Sequence, residues 1–388
     1  MSAGDKSPDV LIVGGGAIGL ALADELAGRG HAVRVLDRGA AGAEASWAAA
    51  GLLSPQSEAR SAGPFFDLAF ESRGRYDAWI AELEARSGRP AGFRRTGLLR
   101  AAFDGPGEAS LREFLWQRDR GLPLEQWDSA AIVRRLGPDV CPGAVGGLYF
   151  PDEAAVDPRK LTRALDRAIR DRGVEVREET AVRAIRIANG RCLGVEVEGA
   201  SVDAGCVVDA AGAWAGRIGG LPFSVPVEPV RGQIVELDCG ASPPSVVLHG
   251  ESTYLVPQGG GRVLVGATVE RAGFQKEVTA GAISDLLAEA ARLYPLVRDA
   301  RFVTAWSGLR PGTRDGLPIL GGCEIPGLYF ATGHYRNGIL LAPVTAARIA
   351  DAIEGRPASG LASFGIERFA RSDPRPDGAP RGPVAVFG

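Results

Sequence analysis

Three glycines and one aspartate near the start of the chain have the spacing of a dinucleotide site. Gly14, Gly16 and Gly19 follow the apolar run Val10–Val13 and precede residues with helical spacing. Gly14 allows a tight turn, Gly16 lets the backbone approach a pyrophosphate, and Gly19 lets helix and strand pack closely. Asp37 ends the next predicted strand, where a carboxylate accepts hydrogen bonds from a ribose. The pattern predicts a dinucleotide without separating FAD from NAD, and an ordinary glycine-rich turn is the alternative.

The segment 42–52 consists mostly of small residues and favours the longer of those two cofactors. It follows the strand that ends at Asp37, and Ser46 within it offers a hydroxyl to a phosphate. Small side chains let the backbone lie along an extended cofactor, as FAD requires. A buried, alanine-rich helix turn is an equally good explanation of the composition by itself.

Arg310 lies in a segment of turn-forming residues, 306–321, and is followed by Pro311. A rigid backbone can hold its guanidinium in a pocket, where the planar fork binds a carboxylate through two hydrogen bonds. Tyr254, on a predicted strand, offers a hydroxyl as a second contact to the same carboxylate. A surface arginine and a core tyrosine are the alternative interpretations.

Arg336 lies in a second glycine-rich turn, just before the last predicted helix. Gly338 permits close approach of the backbone, and the helix that begins near Ile339 points its positive end back at the turn. A reduced flavin carries negative charge that such a helix end would stabilise. The alternative is a simple helix cap.

The elements that position these residues indicate an α/β protein with two domains. Parallel βαβ signals occur in three separated blocks, 1–75, 146–225 and 302–371. They predict a discontinuous, Rossmann-like FAD-binding domain. The intervening blocks, 76–145 and 226–301, predict an α+β substrate domain on a mostly antiparallel sheet. The tail 372–388, rich in Pro, Gly and Arg, is expected to be disordered.

Two helices outside the glycine turns can also be predicted from local signals. Asp157 and Pro158 form a helix start, and that helix extends to Asp171. A further helix is predicted over Glu108–Arg120.

The composition excludes several classes of protein. The 388 residues are 45% apolar and 23% charged, with a net charge of −3, which fits a soluble globular protein and disfavours nucleic acid or an anionic membrane as a partner. No apolar run approaches the roughly 20 residues of a membrane span. The five cysteines are scattered without metal-binding spacing, so we expect no metal and a reducing, cytoplasmic setting.

Several segments together carry a resemblance to a known family. They are Glu44–Gln56, Val265–Thr268, Gly308–Thr313 and Gly333–Pro343. The chain resembles the D-amino-acid oxidase superfamily of FAD-dependent amine oxidoreductases, and most of all its glycine oxidase branch, from Asp9 to about Arg371.

The resemblance implies roles for individual residues. Arg310 binds the substrate carboxylate with Tyr254 beside it, and Arg336 contacts the substrate on the other side of the flavin. The sarcosine oxidase branch attaches its flavin to a cysteine, and no cysteine stands at the comparable place near Arg310, so the resemblance implies FAD held without a covalent bond. It also implies that flavin N5 accepts the hydride without a catalytic acid or base. The implied cofactor contacts are Gly14, Gly16, Ala17, Ile18, Gly19, Asp37, Arg38, Ala45, Ser46, Ala50, Gly51, Leu52, Val182, His334, Tyr335, Arg336, Asn337, Gly338, Ile339 and Leu340.

The implied reaction is the oxidative deamination of glycine, sarcosine or small D-amino acids by oxygen. It gives an imine or glyoxylate, ammonia and hydrogen peroxide, and it feeds thiazole synthesis for thiamine. Thiazole synthase and further copies of the chain are the expected partners. Ser252 and Val269 depart from the pattern of some relatives near the pocket, which leaves the choice of substrate open.

Three other functions stay open at the level of the sequence. The first is a D-amino-acid or sarcosine dehydrogenase that uses an acceptor other than oxygen. The second is a flavin-binding subunit or tRNA-modification module, and the third is an NAD dehydrogenase.

Overall fold

The computed structural model describes residues 7–369, and the tail predicted to be disordered, 372–388, lies outside them. Within 7–369 no helix is long and apolar enough to cross a membrane. The same residues contain no group of three or more His, Cys, Asp or Glu side chains that could hold a metal ion.

The glycine turn belongs to a six-stranded sheet within the described residues, which we call the nucleotide sheet. Its strands, in spatial order, are Ile319–Gly322, Leu328–Thr332, Cys206–Asp209, Val10–Val13, Val33–Leu36 and Glu175–Arg177. All neighbouring strands are parallel except the antiparallel pair at the first edge. The strand Val10–Val13 is fully buried because helices pack on one of its faces and the small three-stranded sheet of residues 184–203 packs on the other.

Helices pack on the nucleotide sheet and form the largest core. The helix Ala17–Gly28 contacts both the last helix, Gly338–Ile353, and the helix Pro158–Asp171. The helix Pro64–Ser87 packs on these same two helices. The other α-helices that the structure describes are Ala45–Ala48, Gly105–Leu111, Trp116–Asp119, Ser129–Leu136 and Ala280–Leu293. The packing brings the start of the first helix and the start of the last helix to one cavity.

The second large unit is an eight-stranded sheet within the same residues, which we call the pocket sheet. Its strands, in spatial order, are Arg301–Thr313, Val227–Asp238, Arg262–Gly266, Tyr254–Gly259, Val247–His249, Leu98–Ala102, Gly146–Phe150 and Glu125–Asp128. One neighbouring pair, Val247–His249 with Leu98–Ala102, is parallel and the others are antiparallel. Smaller sheets join Leu52–Leu53 to Ala154–Ala155, and Ala184–Ala188 to Arg191–Val197 and Ala200–Asp203.

The predicted fold class is confirmed, and one predicted helix is wrong. The helix Pro158–Asp171 begins as predicted, with Asp157 Oδ1 accepting hydrogen bonds from the backbone N–H of Arg159 and Lys160. The helix expected over Glu108–Arg120 is instead two short α-helices separated by a 3₁₀ turn, Arg112–Phe114. The 3₁₀ turn carries Phe114 into the core against Phe150, so tertiary packing overrides the local helical pattern.

The domain bounds stay a prediction, and two elements lie across or beside them. The helix Pro64–Ser87 crosses the predicted bound at 75–76 and packs on the last helix. The strand Gly146–Phe150, at the start of a predicted FAD-binding block, pairs with strands of the pocket sheet on both sides.

Candidate active site

A single large cavity connects the glycine turn of the nucleotide sheet with the strands of the pocket sheet. Its volume is about 1210 Å³. Residues from the first turn, the small-residue segment, the pocket sheet and the last helix all line it. This volume is more than a small amino acid needs and suits an extended cofactor together with a small substrate.

Nearly all the residues predicted from the sequence line this cavity. Gly19 and Leu340 do not. A side chain at Gly19 would overlap the carbonyl oxygen of Gly14, so this glycine allows close packing behind the turn. Leu340 is buried in the core, and its carbonyl oxygen accepts a hydrogen bond of 2.6 Å from Ser72 Oγ.

Backbone groups dominate the nucleotide end of the cavity. Gly14 has φ of +106°, and a side chain there would overlap the carbonyl oxygen of Ala210. Gly16, at the start of the first helix, has no side chain to cap it, so the N–H groups of the first turn other than that of Ala17 are available to phosphates. Ser46 Oγ accepts a hydrogen bond of 2.8 Å from the N–H of Ala17, which joins the small-residue segment to this turn.

Asp37 lies beside that turn as predicted. Its Oδ2 accepts a hydrogen bond of 2.6 Å from Gly15 N–H, and its Oδ1 accepts one of 2.9 Å from Gly39 N–H. Burial raises the pKa of Asp37, although these two hydrogen bonds oppose the shift. Arg38, the next residue, stacks over the indole of Trp214 at 4.2 Å, and sequence analysis did not find Trp214 because no local pattern marks it.

The last helix forms the opposite wall of the cavity. It begins at Gly338 without a side-chain cap, and its first residues line the cavity, so the positive end of the helix lies at this wall. Tyr335 has φ of +51°, and its N–H donates a hydrogen bond of 2.9 Å to the carbonyl of Pro311, beside Arg310. His334 is buried against Thr345, and burial lowers the pKa of His334 to about 3, which keeps the imidazole neutral.

Arg310 projects into the cavity from the edge strand of the pocket sheet. Its Nη1 donates to the carbonyl oxygens of Thr268, at 3.0 Å, and Arg231, at 3.4 Å. Among residues 7–369 no acidic side chain lies within 4.0 Å of this guanidinium. The charge is therefore oriented by neutral groups and is available to a carboxylate ligand.

Tyr254 lies next to Arg310, as the resemblance implied. Its hydroxyl is buried, and burial raises the pKa of Tyr254 while the neighbouring Arg310 acts against the shift. The phenol therefore stays protonated at neutral pH and can donate a hydrogen bond. The two glycines that accommodate these side chains are Gly232, behind Arg310, and Gly266, against the Tyr254 ring.

Arg336 also lines the cavity, but it has a partner that sequence analysis missed. Its Nε lies 3.2 Å from Glu58 Oε2. Glu58 follows the resembling segment Glu44–Gln56 by two residues, and nothing in its own neighbourhood marks it. Arg100 lines the same region; its Nη1 donates to the carbonyl of Ser57 at 3.1 Å, and burial lowers the pKa of Arg100 to about 10.

A buried glutamate holds the loop that carries Glu58. Glu153 Oε1 accepts hydrogen bonds from the backbone N–H of Gln56, at 2.8 Å, and of Ser57, at 2.9 Å. Burial raises the pKa of Glu153 to about 8. Its sequence position gave no sign of this role, since Glu153 and the loop are almost a hundred residues apart.

Two helix starts without a cap from their own N-cap side chain, and an arginine–tyrosine pair, lie on one cavity, and this arrangement fits an oxidoreductase that combines a dinucleotide with a small carboxylate. A match to a family model identifies that dinucleotide as FAD. The model of the FAD dependent oxidoreductase family, DAO, matches residues 9–352. The chain belongs to this family, and FAD is its cofactor.

Two relatives show how the chain compares in sequence. It is 40% identical over 387 residues to the bifunctional protein ThiO/ThiG of Synechocystis, covering 98% of this chain but 57% of that longer protein. It is 38% identical over 371 residues to the glycine oxidase of Geobacillus kaustophilus, covering 93% of this chain and 97% of that protein. The chain thus spans little more than half of the bifunctional relatives and nearly all of the glycine oxidase.

Two solved structures share the fold. The crystal structure of the Geobacillus kaustophilus glycine oxidase has a TM-score of 0.89 and 37% identity, covering 93% of this chain and 98% of that one. The iminodiacetate oxidase of Chelativorans has a TM-score of 0.82 and 27% identity, covering 92% of this chain and 98% of that one.

Proposed function

We propose that the chain is a glycine oxidase. In the proposed reaction glycine, oxygen and water give glyoxylate, ammonia and hydrogen peroxide, and the imine formed first is available for thiazole synthesis. The observation that carries the proposal is the Arg310–Tyr254 pair, which fits one small carboxylate in a cavity that already fits FAD. The similarity to glycine oxidases over nearly the whole chain supports it.

Arg310 and Tyr254 orient the substrate. The guanidinium binds the carboxylate, and the protonated Tyr254 hydroxyl donates a second hydrogen bond to it. Fixing the carboxylate at two points fixes the direction of the Cα–H bond, and orientation of this kind is a large part of rate enhancement. FAD, when bound, would supply the redox chemistry of this reaction, which is the oxidation of the Cα–N bond of the substrate at the expense of oxygen.

The protein groups around the reacting atoms act by electrostatic stabilisation and not by acid–base catalysis. Burial lowers the pKa of His334 to about 3, so this imidazole is too weak a base to take a proton from the substrate, and its Nε2 is paired with Thr345 Oγ1. The uncapped end of the helix Gly338–Ile353 stabilises negative charge on the reduced cofactor. These residues are consistent with oxidation of an amine that is bound in its neutral form.

The remaining parts of the proposal concern location and partners. The FAD is held non-covalently, since none of the five cysteines lines the cavity. Sarcosine and small D-amino acids are further candidate substrates, the setting is the reducing cytoplasm, and thiazole synthase and other copies of the chain are candidate partners. The relative that carries both names, ThiO and ThiG, in one chain supports the link to thiazole synthase.

The test of the proposal is Arg310→Lys in the purified holoprotein. Lysine keeps the charge but cannot form the two-point contact, so we expect the KM for glycine to rise by about tenfold or more with FAD content unchanged. A wild-type protein that bleaches with anaerobic glycine but turns over only with a dye acceptor would instead be a dehydrogenase. An unchanged KM in the variant would remove Arg310 from the substrate site.

A further inference from the structure

Glu58 is the one acidic side chain of the loop 54–58, and it points into the cavity beside Arg336. Its side chain is only 16% exposed, and Arg336 is 30% exposed. The two groups are close, at 3.2 Å, yet Glu58 Oε2 makes no hydrogen bond within the described residues. The contact is therefore an ion pair without a fixed hydrogen-bond geometry, at the edge of the substrate region.

The Glu58–Arg336 pair and the Arg310–Tyr254 pair lie close to the same part of the cavity. Arg310, Glu58 and Arg336 all lie close enough to the Tyr254 hydroxyl to influence its ionisation. A ligand carboxylate held by Arg310 and Tyr254 thus has Glu58 and Arg336 as neighbours. No acidic side chain of residues 7–369 lies within 4.0 Å of the Arg310 guanidinium, whereas Glu58 Oε2 lies 3.2 Å from Arg336 Nε.

We propose that Glu58 is a specificity-determining residue that restricts the pocket to substrates with a single carboxylate. This inference rests on the proposed function, since it names the class of amino acid that the same site accepts. A second carboxylate on the substrate would have to displace Glu58 from Arg336 and would be repelled by Glu58 itself. Glycine and sarcosine carry no such group, whereas iminodiacetate carries one on its nitrogen.

The loop is held so that Glu58 cannot easily move away from the cavity. Glu153 binds the backbone N–H groups of Gln56 and Ser57, and Arg100 binds the carbonyl oxygen of Ser57. Three hydrogen bonds thus fix the two residues that precede Glu58. The repulsion of a second anion is therefore a fixed property of the pocket, and an incoming ligand cannot relieve it by a simple loop movement.

The experiment compares two non-reacting ligands, acetate and malonate, which differ by one carboxylate. Their dissociation constants are measured from the change in flavin absorption of the holoprotein. We expect the wild type to bind malonate no more tightly than acetate, because Glu58 repels the second carboxylate and is already paired with Arg336. Tighter binding of malonate by the wild type would overturn the inference without any variant being made.

In Glu58→Gln the preference should shift toward malonate by about tenfold, since the repelling carboxylate is gone and Arg336 can pair with the second carboxylate of the ligand in place of Glu58. The ratio of kcat/KM for iminodiacetate to that for glycine should rise in the same direction. The double variant Glu58→Gln/Arg336→Gln should lose the gain. A preference that does not shift, or a gain that survives in the double variant, would overturn the inference.

Glu251→Gln is the matched control. Glu251 lines the same cavity and is exposed at its mouth, and no Lys or Arg nitrogen of residues 7–369 lies within 4.0 Å of it. The Glu251→Gln variant removes the same charge but does not separate an ion pair, so the ratio of the dissociation constants for acetate and malonate should stay as in the wild type. An equal shift in this variant would mean that overall charge, and not Glu58, selects the ligand.

Two further comparisons separate a failure of this inference from a failure of the proposed function. If Glu58→Gln does not retain FAD, Glu58→Ser replaces it and should show the same shift. A wild type that binds acetate and malonate as expected but leaves glycine unoxidised would refute the proposed function and not the charge selection. A wild type that oxidises glycine but prefers malonate would refute only the charge selection.

Discussion

The two ends of the cavity are built in different ways. At the nucleotide end the glycine turn, the start of the first helix and Asp37 lie close together in the sequence and are joined through backbone N–H groups. At the substrate end the charged side chains of Glu58, Arg310 and Arg336 come from distant parts of the chain. The first end depends on space and backbone direction, and the second depends on the balance of charges.

The comparison explains how replacements should act. A β-carbon at Gly14 or Gly19 would collide with a backbone carbonyl group, which cannot move without unfolding the turn. Extra atoms at the substrate end meet the tips of side chains, which can move while the fold survives. We therefore expect losses of cofactor at one end and losses of substrate affinity at the other.

The largest effect is expected for Gly14→Val. A β-carbon would overlap the Ala210 carbonyl, and φ of +106° is unfavourable for a branched residue. We expect loss of bound FAD and a fall in unfolding free energy on the order of 3 kcal/mol or more, measured by flavin absorption and denaturant unfolding. Gly39→Ala, in the same region with open space around it, should retain FAD. Normal FAD content in Gly14→Val would contradict the account of this turn.

Gly232→Ala probes the other end. The new β-carbon would occupy the position of the Arg310 guanidinium, which is a movable side-chain end. The variant should fold and bind FAD, but its KM for glycine should rise by about tenfold or more because the carboxylate contact is displaced. Gly281→Ala, which lines the same cavity with no atom nearby, is the control. Equal KM values in both variants would show that Arg310 is not held as described.

The pH dependence of the stability of Glu153→Gln tests whether the buried Glu153 carboxyl holds the loop 54–58. Burial raises the pKa of the Glu153 carboxyl to about 8 in the folded state from its ordinary value of 4.5. The unfolded state therefore releases its proton first as the pH rises. The wild type should therefore lose stability between these values, by at most about 1.4 kcal/mol per pH unit. Glutamine does not titrate, so the stability of the variant relative to wild type should increase with pH in denaturant unfolding. A difference independent of pH would refute the burial effect.

Ser46→Ala should have the smallest effect of the four. It removes the hydrogen bond between Ser46 Oγ and Ala17 N–H, which joins the small-residue segment to the first helix. We expect the dissociation constant of FAD to rise about fivefold, the equivalent of roughly 1 kcal/mol. Ser284→Ala, on an exposed helix face, should leave it unchanged. If Ser46→Ala lowered the affinity for glycine instead, the division of the cavity into two ends would be wrong.

More of the nucleotide end of the cavity than of the substrate end could be predicted from the sequence. Gly14, Gly16 and Asp37 were assigned from spacing alone, because a strand–turn–helix unit fixes their positions locally. Arg310 and Tyr254 were brought together only through the resemblance, and the structure places them side by side. Their roles as substrate contacts stay predictions until the variants are measured.

What the sequence could not supply was the set of contacts between distant segments. Glu153 holds the loop 54–58, Trp214 stacks on Arg38, and Glu58 balances Arg336. The broken helix at Arg112–Phe114 has the same cause, since the burial of Phe114 outweighed the local pattern.

By itself the sequence determined the cofactor turn, the alternation of strands and helices, and the class of chemistry. These depend on glycine conformation, helix starts and hydrophobic periodicity, which act over a few residues. Only the tertiary structure decided which charges share the substrate pocket and which of them are already balanced. Electrostatic pairing depends on distance through space, and a separation of more than 270 positions along the chain, as between Glu58 and Arg336, gives no measure of it.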